Sequence, residues 1–194
     1  MAPRAQQLRP QPADRDARAR VAVFVAAEPG PVTDDYGRCQ LIAAASFDQV
    51  TSPDVVVIGG TLFNEEPDQR VVRWLRQVHP SATWTTSVCT GSIYLAAAGI
   101  LDGHDATTHW ARADELERRG AHYTEQRVVE HGKVITAAGV SAGIDMALTL
   151  LARMHGPQIA EGVQLAIEYD PSRRSAPVHR RKHPPRSWSS CGRS

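Results

Sequence analysis

The sequence predicts an α/β fold in which a mostly parallel sheet is covered by helices on both faces. Three observations carry that expectation. Apolar, β-branched runs alternate with amphipathic runs of helical spacing along most of the chain. One run, Val55-Val56-Val57-Ile58, is continuously apolar, the pattern of a strand buried on both faces. A third run, Thr83 to Val88, stops at Cys89, and an alanine-rich helical run starts at Ser92.

The elements follow in order. Val21 to Ala26 reads as a strand stopped by the turn Glu28-Pro29-Gly30-Pro31. Cys39 to Ala43 is a weaker strand, and Asp54 to Ile58 a buried one ending in Gly59-Gly60. Pro67 opens a helix whose Val71, Val72, Leu75 and Val78 share a face, and Pro80 ends it. After the Cys89 strand and helix, Ala111 to Arg119 is a charged helix closed by Gly120. Three short strands come next, at His122–Thr124, Arg127–Val129 and Val134–Thr136. Ser141 to His155 is a long helix ended by Gly156-Pro157, and Ala160 to Ile167 a last one.

Both ends differ from the middle of this 194-residue chain. Residues 1–20 hold five arginines, three prolines and almost no large apolar side chains. Residues 172–194 hold seven Lys or Arg and no acid. Neither end can bury enough apolar surface to offset its ordering entropy, so both are expected to be disordered tails around a single domain over 21–171. The middle is acidic. The basic C-terminal run lacks aromatic interleaving, so we expect neither a nucleic-acid nor a membrane partner. Three cysteines, with no C-x-x-C pair, make neither a disulfide framework nor a zinc site. We expect no metal and no cofactor. No apolar stretch approaches membrane-spanning length and no secretory leader is evident, so the chain reads as cytoplasmic.

The chemistry concentrates at Thr86-Ser87-Val88-Cys89-Thr90-Gly91-Ser92. A strand, a sharp turn and a helix put the cysteine on the turn, with small neighbours that permit a tight bend. Helix N-terminal N–H groups there favour thiolate and can stabilise an oxyanion. The other reading of Cys89 is a small buried core residue. In parallel α/β sheets sites form at the carboxyl ends of strands, so Gly59-Gly60-Thr61 and Cys89 can meet. The glycine pair lacks phosphate-loop spacing; its expected role is to bring backbone N–H groups near a ligand. His109 fits a general base at neutral pH, or a hydrogen-bonded structural histidine beside Trp110. Asp145 reads as a structural acid in the first turn of a helix.

The elbow, with Ala97-Ala98-Gly99-Ile100-Leu101-Asp102-Gly103, Ala106-Thr107-Thr108-His109-Trp110, Gly139 to Leu148 and Val163 to Asp170, resembles the ThiJ/PfpI superfamily, the class I glutamine-amidotransferase-like fold. Within it the chain looks most like isonitrile hydratases and the amidotransferase-like domains of AraC-type regulators. The resemblance implies a flavodoxin-like three-layer sandwich and a homodimer. It implies Cys89 as nucleophile on a small-molecule isonitrile, with Thr90 beside it, and Gly60, Thr61 and His109 as oxyanion or substrate-binding residues. Peptidase-like relatives carry a His after the cysteine, and Thr90 argues against that branch. The resemblance also implies a first strand and an acid that residues 1–20 do not supply. On that reading an interior strand is lost, apolar surface is exposed, and activity falls by roughly two to four orders of magnitude. The alternatives are a non-catalytic sensor domain or an inactive truncated copy. No helix-turn-helix pattern follows residue 171, which speaks against a complete AraC-type regulator.

Overall fold

The structure, a computed structural model, describes residues 22–34, 36–61 and 66–171. The two expected tails lie outside the described residues. The strands are β1 (Val25–Ala26), β2 (Gly30–Thr33), β3 (Gln40–Ala43), β4 (Ala45–Ser46), β5 (Val55–Ile58), β6 (Trp84–Val88), β7 (Asp105–Ala106), β8 (His122–Tyr123), β9 (Val128–His131) and β10 (Val134–Ala137). The helices are α1 (Gln69–Val78), α2 (Gly91–Ala97), α3 (Ala113–Arg118), α4 (Ala142–His155) and α5 (Pro157–Ala166).

The central sheet has the order β5-β6-β10-β9. The first three strands run parallel and β9 returns antiparallel to β10, so the sheet is mostly parallel, as expected. Thr85 pairs with Val56 on one side and Val134 on the other; Ser87 pairs with Ile58 and Thr136. This register brings the carboxyl ends of β5, β6 and β10 to one rim of the sheet.

Two apolar layers flank it. Val56, Val72, Leu75, Val78, Leu95, Leu101 and Leu116 form one core beneath α1 and α2. Ile135, Ala137, Ala142 and Met146 form a smaller one beneath α4, with Trp84 and Val88 against it. Helix α1 forms because Val72, Leu75 and Val78 recur at helical spacing and Asp68 caps it, accepting the Arg70 N–H at 2.8 Å. At its other end Lys133 Nζ donates to the carbonyls of His79, Pro80 and Ala82 at 2.6, 3.0 and 3.1 Å.

Several elements depart from expectation. The Glu28–Pro31 turn runs straight into β2, which pairs antiparallel with β3. Pro31 is tolerated there because this hairpin lies outside the central sheet. Pro157 does not merely end α4; it opens α5 at its first turn. The largest departure is β5, expected to be buried on both faces. Val56 is buried, but Val57 is 60 % exposed. Among the described residues β5 pairs only with β6, and α4 lies over β10, β6 and β9. Among the described residues, then, no strand pairs with the other edge of the VVVI run, and Val57 lies on its more exposed face.

A candidate active site at the carboxyl end of β6

Cys89 follows β6 directly and precedes α2 by two residues. Its φ is +60°, the left-handed region that a residue with a Cβ seldom occupies. Such a conformation costs on the order of 1–3 kcal/mol and survives only where the surroundings fix it. Here they fix both sides of the residue. The Cys89 N–H lies 3.0 Å from Ala137 O and 2.8 Å from Ala138 O, just past β10. The Cys89 carbonyl accepts from Ser92 Oγ at 3.2 Å and Thr108 Oγ1 at 3.1 Å.

Glycine is required on two sides of the turn. A Cβ on Gly91 would overlap the Ile58 carbonyl oxygen and sit 2.8 Å from Gly59 O, so α2 starts against the end of β5 only because that Cβ is absent. A Cβ on Gly60 would lie 2.9 Å from Thr90 Oγ1 and 3.1 Å from Cys89 Cβ. Gly60 thus borders the thiol with backbone alone. Thr61 N–H donates to Thr90 Oγ1 at 2.9 Å, and Thr90 Oγ1 donates to Thr61 O at 3.1 Å. The Thr61 N–H is therefore engaged within the protein and turned toward Thr90.

The thiol is buried, 8 % exposed as a residue. Burial pushes its pKa up, and a hydrogen bond from the Thr90 N–H pulls it partly back. The helix-start bias toward thiolate is present in that bond, but desolvation outweighs it.

His109 caps a short 3-10 turn at Trp110–Arg112, its Nδ1 accepting the Ala111 N–H at 3.2 Å. The neutral ring therefore carries its proton on Nε2. Burial lowers its pKa, which keeps it neutral near pH 7. A neutral Nε2–H imidazole is a donor, so general-base chemistry through Nδ1 is blocked by the cap. The ring lies at 5.5 Å, tilted, from Trp110, and its Cδ2 would be 3.7 Å from a Cβ on Gly139.

The register thus assembles Cys89, Thr90, Gly60 and Thr61 into one contact cluster. Thr108 connects His109 to it through the Cys89 carbonyl. Asp145 lies outside the cluster: it receives Arg127 in an ion pair and the Tyr169 hydroxyl at 3.1 Å. A cavity of about 380 Å³, lined by His104, Asp105, Thr124, Gln126, Glu130 and His131 among others, includes none of the Cys89 cluster. Among the described residues no group of three or more His, Cys, Asp or Glu is placed to hold a metal. The sequence marks Ser92 only as a small neighbour of the bend and gives Thr108 no role, because the bond of a lone hydroxyl to the Cys89 carbonyl carries no periodic signal.

The chain matches the DJ-1/PfpI family over residues 11–153. It is 40 % identical over 144 residues to the isonitrile hydratase of Pseudomonas putida, an alignment covering 73 % of this chain and 63 % of the hydratase. The chain belongs to the DJ-1/PfpI family. Other proteins resemble it too. The regulator CdhR of Pseudomonas aeruginosa is 39 % identical over 104 residues, 51 % of this chain and 30 % of the regulator. A ThiJ/PfpI family protein from Pseudomonas syringae superposes with a TM-score of 0.71 at 34 % identity, covering 79 % of this chain and 64 % of that one. An AraC family transcriptional regulator from Pseudomonas putida, at 21 % identity and a TM-score of 0.69, shares the fold over 78 % of this chain and 83 % of its own. This DJ-1/PfpI chain therefore has the flavodoxin-like fold expected of it, and it spans under two thirds of the length of the hydratase and the regulator it matches. No described helix is long and apolar enough to cross a membrane.

Proposed function

We propose that this chain is a cysteine-dependent hydratase acting on isonitriles, with its domain at residues 21–171. The observation that carries the reading is Cys89 itself: a non-glycine residue held at φ +60° at a strand-to-helix turn, with the Gly60 backbone beside it. The 40 % identical hydratase names the chemistry.

In the proposed reaction Cys89 Sγ bonds to the terminal carbon of R–N≡C, and the thiol proton ends on that carbon, giving R–N=CH–S–Cys89. Water then adds across C=N, its oxygen bonding to carbon and a proton going to nitrogen. Collapse of R–NH–CH(OH)–S–Cys89 breaks the C–S bond, returns a proton to sulfur and releases the N-substituted formamide. The Thr90 and Gly60 backbone N–H groups are proposed to receive negative charge that develops at the site. Thr61 acts by locking Thr90. His109 is proposed as a substrate-binding residue. No cofactor or metal enters this scheme. A raised thiol pKa makes the first step slow in the absence of a proton acceptor.

A second reading, a sensor domain without turnover, is favoured by the regulator CdhR among the relatives and by the burial that holds Cys89 as a thiol. We expect a cytoplasmic homodimer in either case. Mass spectrometry of the chain quenched during exposure to an alkyl isonitrile separates the two. An adduct on the Cys89 peptide equal to the mass of the isonitrile supports the enzyme; an unmodified Cys89 peptide, with no formamide produced, supports the sensor.

A further inference from the structure

We infer that Thr108 is a positioning residue that holds the Cys89 elbow against the segment leading to the Trp110–Arg112 turn. It belongs to the segment between β7 and the Trp110–Arg112 turn, and it is fully buried. Its hydroxyl donates to the Cys89 carbonyl at 3.1 Å. The segment is itself anchored one residue earlier: the Thr107 N–H donates to Thr136 Oγ1 at 3.0 Å, and Thr107 Oγ1 donates to Gln126 O at 2.8 Å. Thr136 is the β10 residue paired with Ser87, two positions before Cys89. A short hydrogen-bonded path thus runs from the sheet through Thr107 and Thr108 to the cysteine, with His109 next in the chain.

The two donors on the Cys89 carbonyl are not equivalent. Ser92 lies in the first turn of α2, three residues from Cys89, and moves with the elbow. Thr108 comes from nineteen residues away and fixes the elbow against a different segment. A left-handed non-glycine residue relaxes unless both its peptide groups are held. Removing the distant donor frees the carbonyl to rotate, which turns the Cys89–Thr90 peptide. The Thr90 N–H that faces the thiol belongs to that peptide, so its alignment depends on the Thr108 hydroxyl.

This inference rests on Cys89 being the reactive thiol, and its test reads that thiol without using isonitrile turnover. In a full-length Cys39→Ser, Cys191→Ser background only Cys89 reports. Its rate of alkylation by iodoacetamide is followed from pH 6 to 10, with Thr108→Val and Thr108→Ser beside it. The expected result is a rate at pH 7 about tenfold lower in Thr108→Val and a midpoint displaced to higher pH, the size associated with one hydrogen bond to a charged group. Thr108→Ser should stay within about twofold of the background. Equal rates and midpoints for Thr108→Val and the background overturn the inference. So does a Thr108→Ser that behaves like Thr108→Val, since the hydroxyl is then irrelevant. If circular dichroism finds Thr108→Val unfolded, Thr108→Ala is judged by the same criteria. A background Cys89 that reacts only after unfolding in guanidinium overturns the reactive-cysteine reading itself, and this inference with it.

Discussion

Thr90 and Thr61 exchange two hydrogen bonds: the Thr61 N–H donates to Thr90 Oγ1 at 2.9 Å, and that hydroxyl donates to the Thr61 carbonyl at 3.1 Å. A single side chain thereby closes the loop after β5 onto the elbow after β6, and Gly60 is held beside Cys89. Thr90→Val removes both bonds at a buried position and leaves two backbone groups partly unsatisfied. We expect a loss of about 1–3 kcal/mol in urea unfolding, with Thr90→Ser close to the parent. A Thr90→Val chain as stable as the parent would show that the clamp carries no stability.

Gly60 and Gly91 respond differently to the same change. Gly91→Ala sets a Cβ onto the Ile58 carbonyl, backbone against backbone, and should destabilise by at least about 2 kcal/mol. Gly60→Ala meets mainly the Thr90 and Cys89 side chains, so its effect on stability should be smaller. Its effect on the thiol should be larger: a methyl beside Cys89 Cβ screens the sulfur, and alkylation should slow by roughly tenfold. Melting curves and iodoacetamide rates on the two variants check both statements.

Two half-buried histidines set an acid limit. Burial lowers the pKa of His79, reinforced by Lys133, and burial lowers that of His109. A base whose folded pKa lies below its unfolded one takes up its proton first in the unfolded state. Stability is therefore complete above the ordinary histidine value of about 6.5 and declines as pH falls through it. Cys89 acts at the other end. Its pKa is raised by burial, so the unfolded thiol ionises first and stability is lost as pH rises through the ordinary cysteine range. Denaturant midpoints against pH should form a plateau with shoulders on both sides. His79→Gln should flatten the acid shoulder, and an unchanged shoulder would exclude His79 as its source.

The face of β5 that carries Val57 should bind the dye ANS. Val57 is 60 % exposed, and Ile42 63 % exposed on the β2–β3 hairpin. Large exposed apolar surface promotes association. Val57→Thr keeps the β-branch and should reduce both dye binding and light scattering at high concentration without lowering the melting temperature. Equal scattering would place the sticky surface elsewhere.

How much of this was legible in the sequence follows from which forces act locally. The β6–Cys89–α2 turn was readable because a β-branched run, a small-residue turn and an alanine-rich run each report their own backbone preference. Helix α1 was readable from its apolar period and Pro67. The exposure of Val57 in β5 was not, since a continuous apolar run says that burial is favourable and not whether a partner strand supplies it. The β2–β3 hairpin was hidden by prolines that usually signal a turn. Within the site, Gly60 was visible as a small residue at a strand end and Thr90 through the family resemblance, but their close approach depends on tertiary register. His109 was visible as a titratable residue. Its Nδ1 bond to Ala111, which turns it from base to donor, depends on the backbone of a short 3-10 turn that has no pattern of its own.

The most direct test of the central claim is formamide production from a simple alkyl isonitrile, measured for the parent chain and Cys89→Ala side by side at pH 8. Slow turnover is expected of the parent, and none above the uncatalysed rate is expected of Cys89→Ala. Equal rates for the two folded proteins, or no formamide from either, would contradict the assignment of Cys89 as the nucleophile of an isonitrile hydratase.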